Sequence, residues 1–449
     1  MNSTQQPGAG FHLPSLFLVL SAGLGILAGL LGVALFGVLG LSALFSSGLS
    51  QAVSNLTLAW SAGMVVLLSL PALFYSLPRL AGRPAPRWNV QAGWKLSSLA
   101  MLLWVLDLAA ASLLASRLTA VSAFLLPPLA ILAAAMPVWF LIEFGRRGLR
   151  ASPQRTWGVV SATLTVTLPV IILVELGGMV AIGMVAVVWL MGVSPELVSR
   201  LEHWLLALRS DGISAQALIS ELEPYLQQPV VAAAGLAIFG LIMPLVEELL
   251  KTLALWFVPR QAMSEAEGFT LGLVAGGTFA LVETLNTLPA MVGPDWVFLA
   301  LARAGTGLLH ITCGGLVGWG LVSAWQKANY LRLGLLFLGS VGIHGAWNTF
   351  VQFTSLQSTS SPLALKNSIL PQAAPVVLAA LPVLMAVGLA ALNRRLQNQQ
   401  ARDDALLAAQ AASLASAAPL SDSLAIPGAL NPAPLAPTGS VPESPADPA

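Results

Sequence analysis

Along most of this chain the apolar positions neither alternate with polar ones nor recur on one helical face; they run on uninterrupted. Ten such runs stand out, at roughly 12–36, 55–76, 94–116, 119–144, 157–180, 229–258, 268–292, 297–324, 331–354 and 372–393. A helix needs roughly 20 apolar residues to cross a bilayer, so the pattern predicts an all-α, polytopic transmembrane bundle of about ten spans. Two stretches, 12–46 and 157–193, are too long for one simple span. Reading the second as a hairpin would reverse every later helix, so its tail is expected to be re-entrant or interfacial. The first has uncharged flanks and leaves one or two spans open.

Composition agrees. Only 9% of residues are charged and 57% are hydrophobic, where a soluble protein carries about 25% charged residues. The net charge of +1 gives no case for a nucleic-acid partner. What charge there is falls unevenly. With the N-terminus placed in the cytoplasm, the cytoplasmic connections hold Arg79, Arg83, Arg87, Lys95, Arg146, Arg147, Arg150, Arg155, Arg260, Lys327, Arg332, Arg394, Arg395 and Arg402. The opposite side holds only Arg117, Arg200, Arg209 and Lys366. The positive-inside rule therefore predicts both termini in the cytoplasm. Met1 to Gly10 contain no Lys or Arg, so the first apolar run reads as a retained span and not a secretory signal. The single cysteine, Cys313, excludes an intramolecular disulfide and a multi-cysteine metal site.

Four regions follow: membrane helices over 1–193, a connector over 194–228, a membrane core over 229–393 and a tail over 394–449. The connector opens Ser194-Pro195-Glu196, a helix-start signal, and Leu197, Leu201, Trp204, Leu205 and Leu208 then share a face. It reads as an amphipathic helix on the outer leaflet. The Ala-, Pro- and Ser-rich tail reads as disordered and cytoplasmic.

The chemistry sits in the core, whose motifs span 244–350. Glu247, Glu248 and Lys251 interrupt an apolar run, where each charge costs at least ~2.5–3.5 kcal/mol on the mildest scale. Lys251 lies four residues after Glu247 and three after Glu248, within reach of either on a helix. The carboxylates themselves point about 100° apart, so one is expected to face a cavity and the other to support it. Downstream, Gly268, Gly272, Gly276 and Gly277 permit close helix contact. Glu283 brings a third carboxylate to membrane depth. His310 lies at the middle of the next helix, and His344 and Asn348 share a face of the one after. Convergence of these residues would form a polar site tuned for proton transfer. Arg303 reads as an interfacial anchor, Cys313 as a packing residue beside His310, and Asp107, Glu143 and Glu175 as carboxylates with no visible partner.

Glu247-Glu248-Leu249-Leu250-Lys251 resembles the Glu-Glu-x-x-Lys signature of the PrsW family of intramembrane proteases. Phe279-x-x-x-Glu283, the lone His310 and His344-x-x-x-Asn348 are similar to that family's other motifs, in the same order. The resemblance covers roughly residues 230–355. It departs at Thr284, where an asparagine often follows the glutamate. It implies kinship with type II CAAX prenyl proteases and a glutamate-activated water that hydrolyses peptide bonds of membrane-anchored substrates, in a bacterial-type cytoplasmic membrane. Glu247 would be the general base and His310 would position the water. His344 and Asn348 would donate to the oxyanion, and Glu248, Lys251 and Glu283 would orient these groups. The same types also suit zinc, held by Glu247, His310 and His344, since two His plus Glu is a catalytic ligand set; the metal-free form is slightly preferred. The alternative is a proton-coupled transporter or channel built on a Glu/His relay. It predicts repeated halves, and the first 220 residues hold no counterpart of the Glu-Glu-x-x-Lys segment.

Overall fold

The computed structural model describes residues 13–46, 48–84, 86, 93–193, 199, 202–203, 206, 229–260, 263–287, 296–358 and 369–417. These residues hold no strand. The helices are α1 (Leu13–Ser46), α2 (Leu49–Leu80), α3 (Trp94–Ala115) and α4 (Ala120–Arg146). Next, α5 (Pro153–Ala162) passes through a π-helical turn, Thr163–Thr167, into α6 (Leu168–Val193). A second composite helix joins α7 (Pro229–Ala237), a π-helical turn Ile238–Ile242, α8 (Met243–Lys251) and a 3-10 turn Thr252–Phe257. Then come α9 (Glu265–Thr287), α10 (Trp296–Lys327), α11 (Tyr330–Ser358) and α12 (Ile369–Ala417).

Among the described residues there are thus ten continuous helical segments, nine of them long and apolar enough to span a membrane. The tenth, α11, carries His344 and Asn348 amid glycines, which lowers its hydropathy. One open point closes and two expectations change. Residues 13–46 are one helix. Residues 153–193 form one continuous helix, so the re-entrant tail is not found: a π turn absorbs the misfit without breaking the backbone ladder. Residues 394–417 are helical where a disordered tail was expected, and Gln397 and Gln399 dock the first part of this stretch on the bundle. The connector over 194–228 lies outside the described residues apart from four positions, as does the chain after Ala417.

Contacts group Met1–Gln400 into one compact unit; a second begins at Ala401, and its described part is the helical end of α12. In the first unit, α9 and α10 are buried along nearly their whole length, while the large side chains of α1, α3 and α6 are mostly exposed and face lipid. The seam between α9 and α10 is made of glycine. Gly268, Gly272 and Gly276 recur every four residues and meet Gly318, Gly314 and the His310 carbonyl of α10. A Cβ on Gly276 would overlap that carbonyl. This backbone contact, the close approach that Gly-x-x-x-Gly spacing permits, sets His310 directly against the helix that carries Glu283.

The ends are pinned by polar pairs. Ser264 caps α9 by accepting the Glu267 N–H at 3.1 Å. Glu265 receives Lys327 at 2.9 Å, Arg332 at 3.1 Å and the Trp319 indole N–H at 3.1 Å; Glu267 receives Arg155 at 2.6 Å. Asn393 of α12 donates to the Gly145 and Arg147 carbonyls, 2.8 and 2.9 Å away, satisfying the end of α4.

Candidate active site

α8, α9, α10 and α11 bring Glu247, Glu248, Lys251, Glu283, His310 and His344 into one cluster. The phase difference expected of adjacent helical carboxylates is present. Glu248 is fully buried, whereas the Glu247 side chain keeps 13% exposure. Lys251 is fully buried and donates from Nζ to Glu248 Oε1 at 2.6 Å and to His310 Nδ1 at 2.8 Å. It pairs with Glu247 Oε2 at 3.4 Å and stands over the Phe279 ring, 4.5 Å from its centroid. Removing such a cation from water is tolerable only with this many partners.

The partners assign both histidine tautomers. Lys251 can only donate, so His310 Nδ1 accepts and His310 Nε2–H donates to Glu283 Oε2 at 2.9 Å. The ionised Glu248 can only accept, so His344 Nδ1–H donates to its Oε1 at 2.8 Å. That leaves His344 Nε2 as an acceptor. It faces Glu247 Oε2, itself an acceptor without a hydrogen-bond partner, across 3.9 Å. The imidazoles meet edge to face, with centroids 4.9 Å apart.

Two expected roles take a different setting. Asn348 sits one turn beyond His344, but its Nδ2 donates to the Phe239 carbonyl at 3.0 Å, inside the π turn that precedes α8. Gly240 and Gly345 meet there backbone to backbone, which seats α11 on that turn. Arg303, read from the sequence as an interfacial anchor, instead grips Glu283: Nη1 lies 3.1 Å from Oε1 and Nη2 2.9 Å from Oε2, while Nε donates to Thr284 at 3.1 Å. The signal was present in the spacing, because Arg303 and His310 are seven residues apart and share a helix face. Cys313 is buried with its thiol toward the Ser340 carbonyl, 3.6 Å away, and packs. Glu143 pairs with Arg146. Asp107 is buried on α3 with no hydrogen-bond partner among the described residues.

The cluster also has the makings of a metal site. Glu247, His310 and His344 offer ligand atoms that all lie within 4.8 Å of one another. The chemistry fits zinc. Glu247 Oε2, though ion-paired with Lys251, makes no hydrogen bond, His344 Nε2 is open, and Glu248 behind His344 is placed as the carboxylate that orients a metal-bound imidazole. His310 is committed at both nitrogens, so its joining would require Lys251 or Glu283 to yield.

No curated protein and no solved structure matches the chain. Residues 176–387, a little under half of the chain, match the family model described as PrsW family intramembrane metalloprotease. The matched segment contains every residue of the Glu–Lys–His cluster, and on that match the protein is an enzyme: a PrsW-like intramembrane protease.

Proposed function

We propose that the protein is an endopeptidase that hydrolyses peptide bonds of membrane-anchored proteins with a water activated by Glu247. The observation that carries this is the 3.9 Å gap between two facing acceptors, Glu247 Oε2 and His344 Nε2. A water at ordinary hydrogen-bond distance, about 2.8 Å from each, spans that gap and donates one hydrogen to either side. In the reaction, Glu247 takes one proton from the water, whose oxygen bonds to the scissile carbonyl carbon. As the tetrahedral adduct collapses, the C–N bond breaks and the proton passes from Glu247 to the leaving nitrogen. Glu248 holds His344 in the accepting tautomer, and Lys251 balances both carboxylates. Glu283 and Arg303 fix His310 from behind. The second amide N–H of Asn348 is the oxyanion donor, a role worth about 2.7–4 kcal/mol in soluble proteases. Zinc, when bound by Glu247, His310 and His344, would act as a Lewis acid on the same water.

By the positive-inside rule, the basic ends of the helices support a reading with both termini in the cytoplasm. The test is cleavage of a labelled single-span reporter in liposomes by the wild type, Glu247→Gln and His344→Ala, each with and without a chelator. Loss in both variants supports the protease, and chelator sensitivity selects the metal-assisted form. Proton flux that depends on Glu247, without cleavage, would move the reading to a transporter.

A further inference from the structure

Glu175 stands outside the motifs that build the Glu–Lys–His cluster. It lies on α6, which packs on the site through Leu168 and Ile171; these buried side chains cluster with Phe279, Leu250 and Val282. Phe279 is the ring beneath Lys251, Leu250 is one turn from Glu247, and Val282 adjoins Glu283. Glu175 follows Ile171 by four residues, so it shares that inward face. It is partly buried while its neighbours Leu173, Val174 and Leu176 are exposed. Its Oε1 is buried and has no hydrogen-bond partner. From Leu176 to Val185 every side chain of α6 is exposed, so Glu175 is the point at which this helix leaves the site for the lipid.

We infer that Glu175 is a substrate-binding residue on the lipid-facing rim of the active site, where its free carboxylate oxygen accepts a backbone N–H of the substrate's membrane helix beside the scissile bond. The inference rests on the protease reading and extends it to the side of approach, which lies along α6. The physical need is specific. A helix cut within a bilayer must first unwind locally, and each N–H so released in hydrocarbon requires an acceptor. The acceptors Glu248, Glu283 and His310 Nδ1 are already taken by Lys251, Arg303, His310 and His344, and Glu247 and His344 Nε2 hold the water in the proposed reaction. An acceptor on the rim supplies what the substrate lacks.

The test uses the full-length protein in liposomes with a panel of dye-labelled single-span peptides, each also made with one backbone N–H near the cleavage point replaced by an ester oxygen. Cleavage is followed in the wild type, Glu175→Leu and Glu175→Gln. Binding is followed by energy transfer in the inactive Glu247→Gln background with the same changes at position 175. Glu175→Leu is expected to raise KM and Kd about tenfold with kcat within about twofold. Glu175→Gln, which keeps an acceptor, should restore both to within about threefold. One ester should weaken binding to the protein that retains Glu175 about tenfold and leave Glu175→Leu unmoved. Equal Kd with and without the Glu175→Leu change across the panel, or an ester effect that survives that change, overturns the inference. Binding that depends on Glu175 without cleavage by the wild type would overturn the hydrolytic reading and leave only the helix-binding role of Glu175 standing.

Discussion

Lys251→Met removes the one cation at the centre of the cluster while keeping the volume of the side chain. In the wild type its ammonium is fully buried, 2.6 Å from Glu248 Oε1, 2.8 Å from His310 Nδ1 and 3.4 Å from Glu247 Oε2. Without it Glu248 and Glu247 each keep, among the described residues, His344 alone as ion-pair partner, and His310 Nδ1 faces a methyl group. Breaking a buried pair from one side costs about 3–5 kcal/mol, because the remaining charge stays in a poor solvent. The ammonium's stacking on Phe279 adds ~0.5–2 kcal/mol. The variant should therefore be destabilised by about 3.5–7 kcal/mol, the sum of the two ranges. The double variant Lys251→Met/Glu248→Gln, which removes both buried charges, should recover at least about half of the loss. The measurement is reversible unfolding of purified protein in mixed micelles over a denaturing-detergent gradient, with helicity and tryptophan emission as separate probes. A single variant as stable as the wild type, or a double variant no better than the single, would refute the argument: the lysine would then not be compensating buried charge.

The other predictions follow from the same geometry. Glu247→Gln should lower kcat on a cleaved reporter by at least about a thousandfold while leaving stability unchanged or raised, because a buried carboxylate oxygen without a hydrogen bond is replaced by a neutral amide; kcat and unfolding measured on one preparation decide it. Gly276→Ala forces a Cβ onto the His310 carbonyl and should cost about 1–3 kcal/mol, with the His310–Glu283 bond lost in a structure of the variant. Arg303→Met should reduce kcat about tenfold or more by freeing Glu283 and loosening His310, with Arg303→Lys recovering only part, since a lysine cannot hold both carboxylate oxygens at once. In each case wild-type behaviour would remove the role assigned to that residue.

Much of this arrangement was legible in the linear chain. Uninterrupted apolar runs give the helices, and the spacing of Glu247, Glu248 and Lys251 gives their local pairing, because both depend on neighbours along one helix. His310, Glu283 and His344 could be placed on successive helices, and the glycine spacing hinted at how closely two of these approach. What was not legible depends on how separate helices are phased against each other. Arg303 looks like an interfacial anchor until α9 is set beside α10. Asn348 shares a face with His344, yet the π turn ahead of α8 presents a carbonyl that captures its amide. Glu175 lies in an apolar run with no motif around it, and only the packing of Ile171 on Phe279 brings it to the site.

The π turn at Ile238–Ile242 also decouples two halves of one span. A π-helical turn holds one residue more than an α-helical turn, and a single residue corresponds to about 100° of helical rotation. Register changes arising in α7 can thus be taken up at the turn by exchanging π for α geometry, without rotating Glu247 and Glu248 out of the cluster. The α7 part of the span is therefore free to vary in length and sequence, and to follow whatever lies beside it in the bilayer, while the carboxylates keep their bearing on His344.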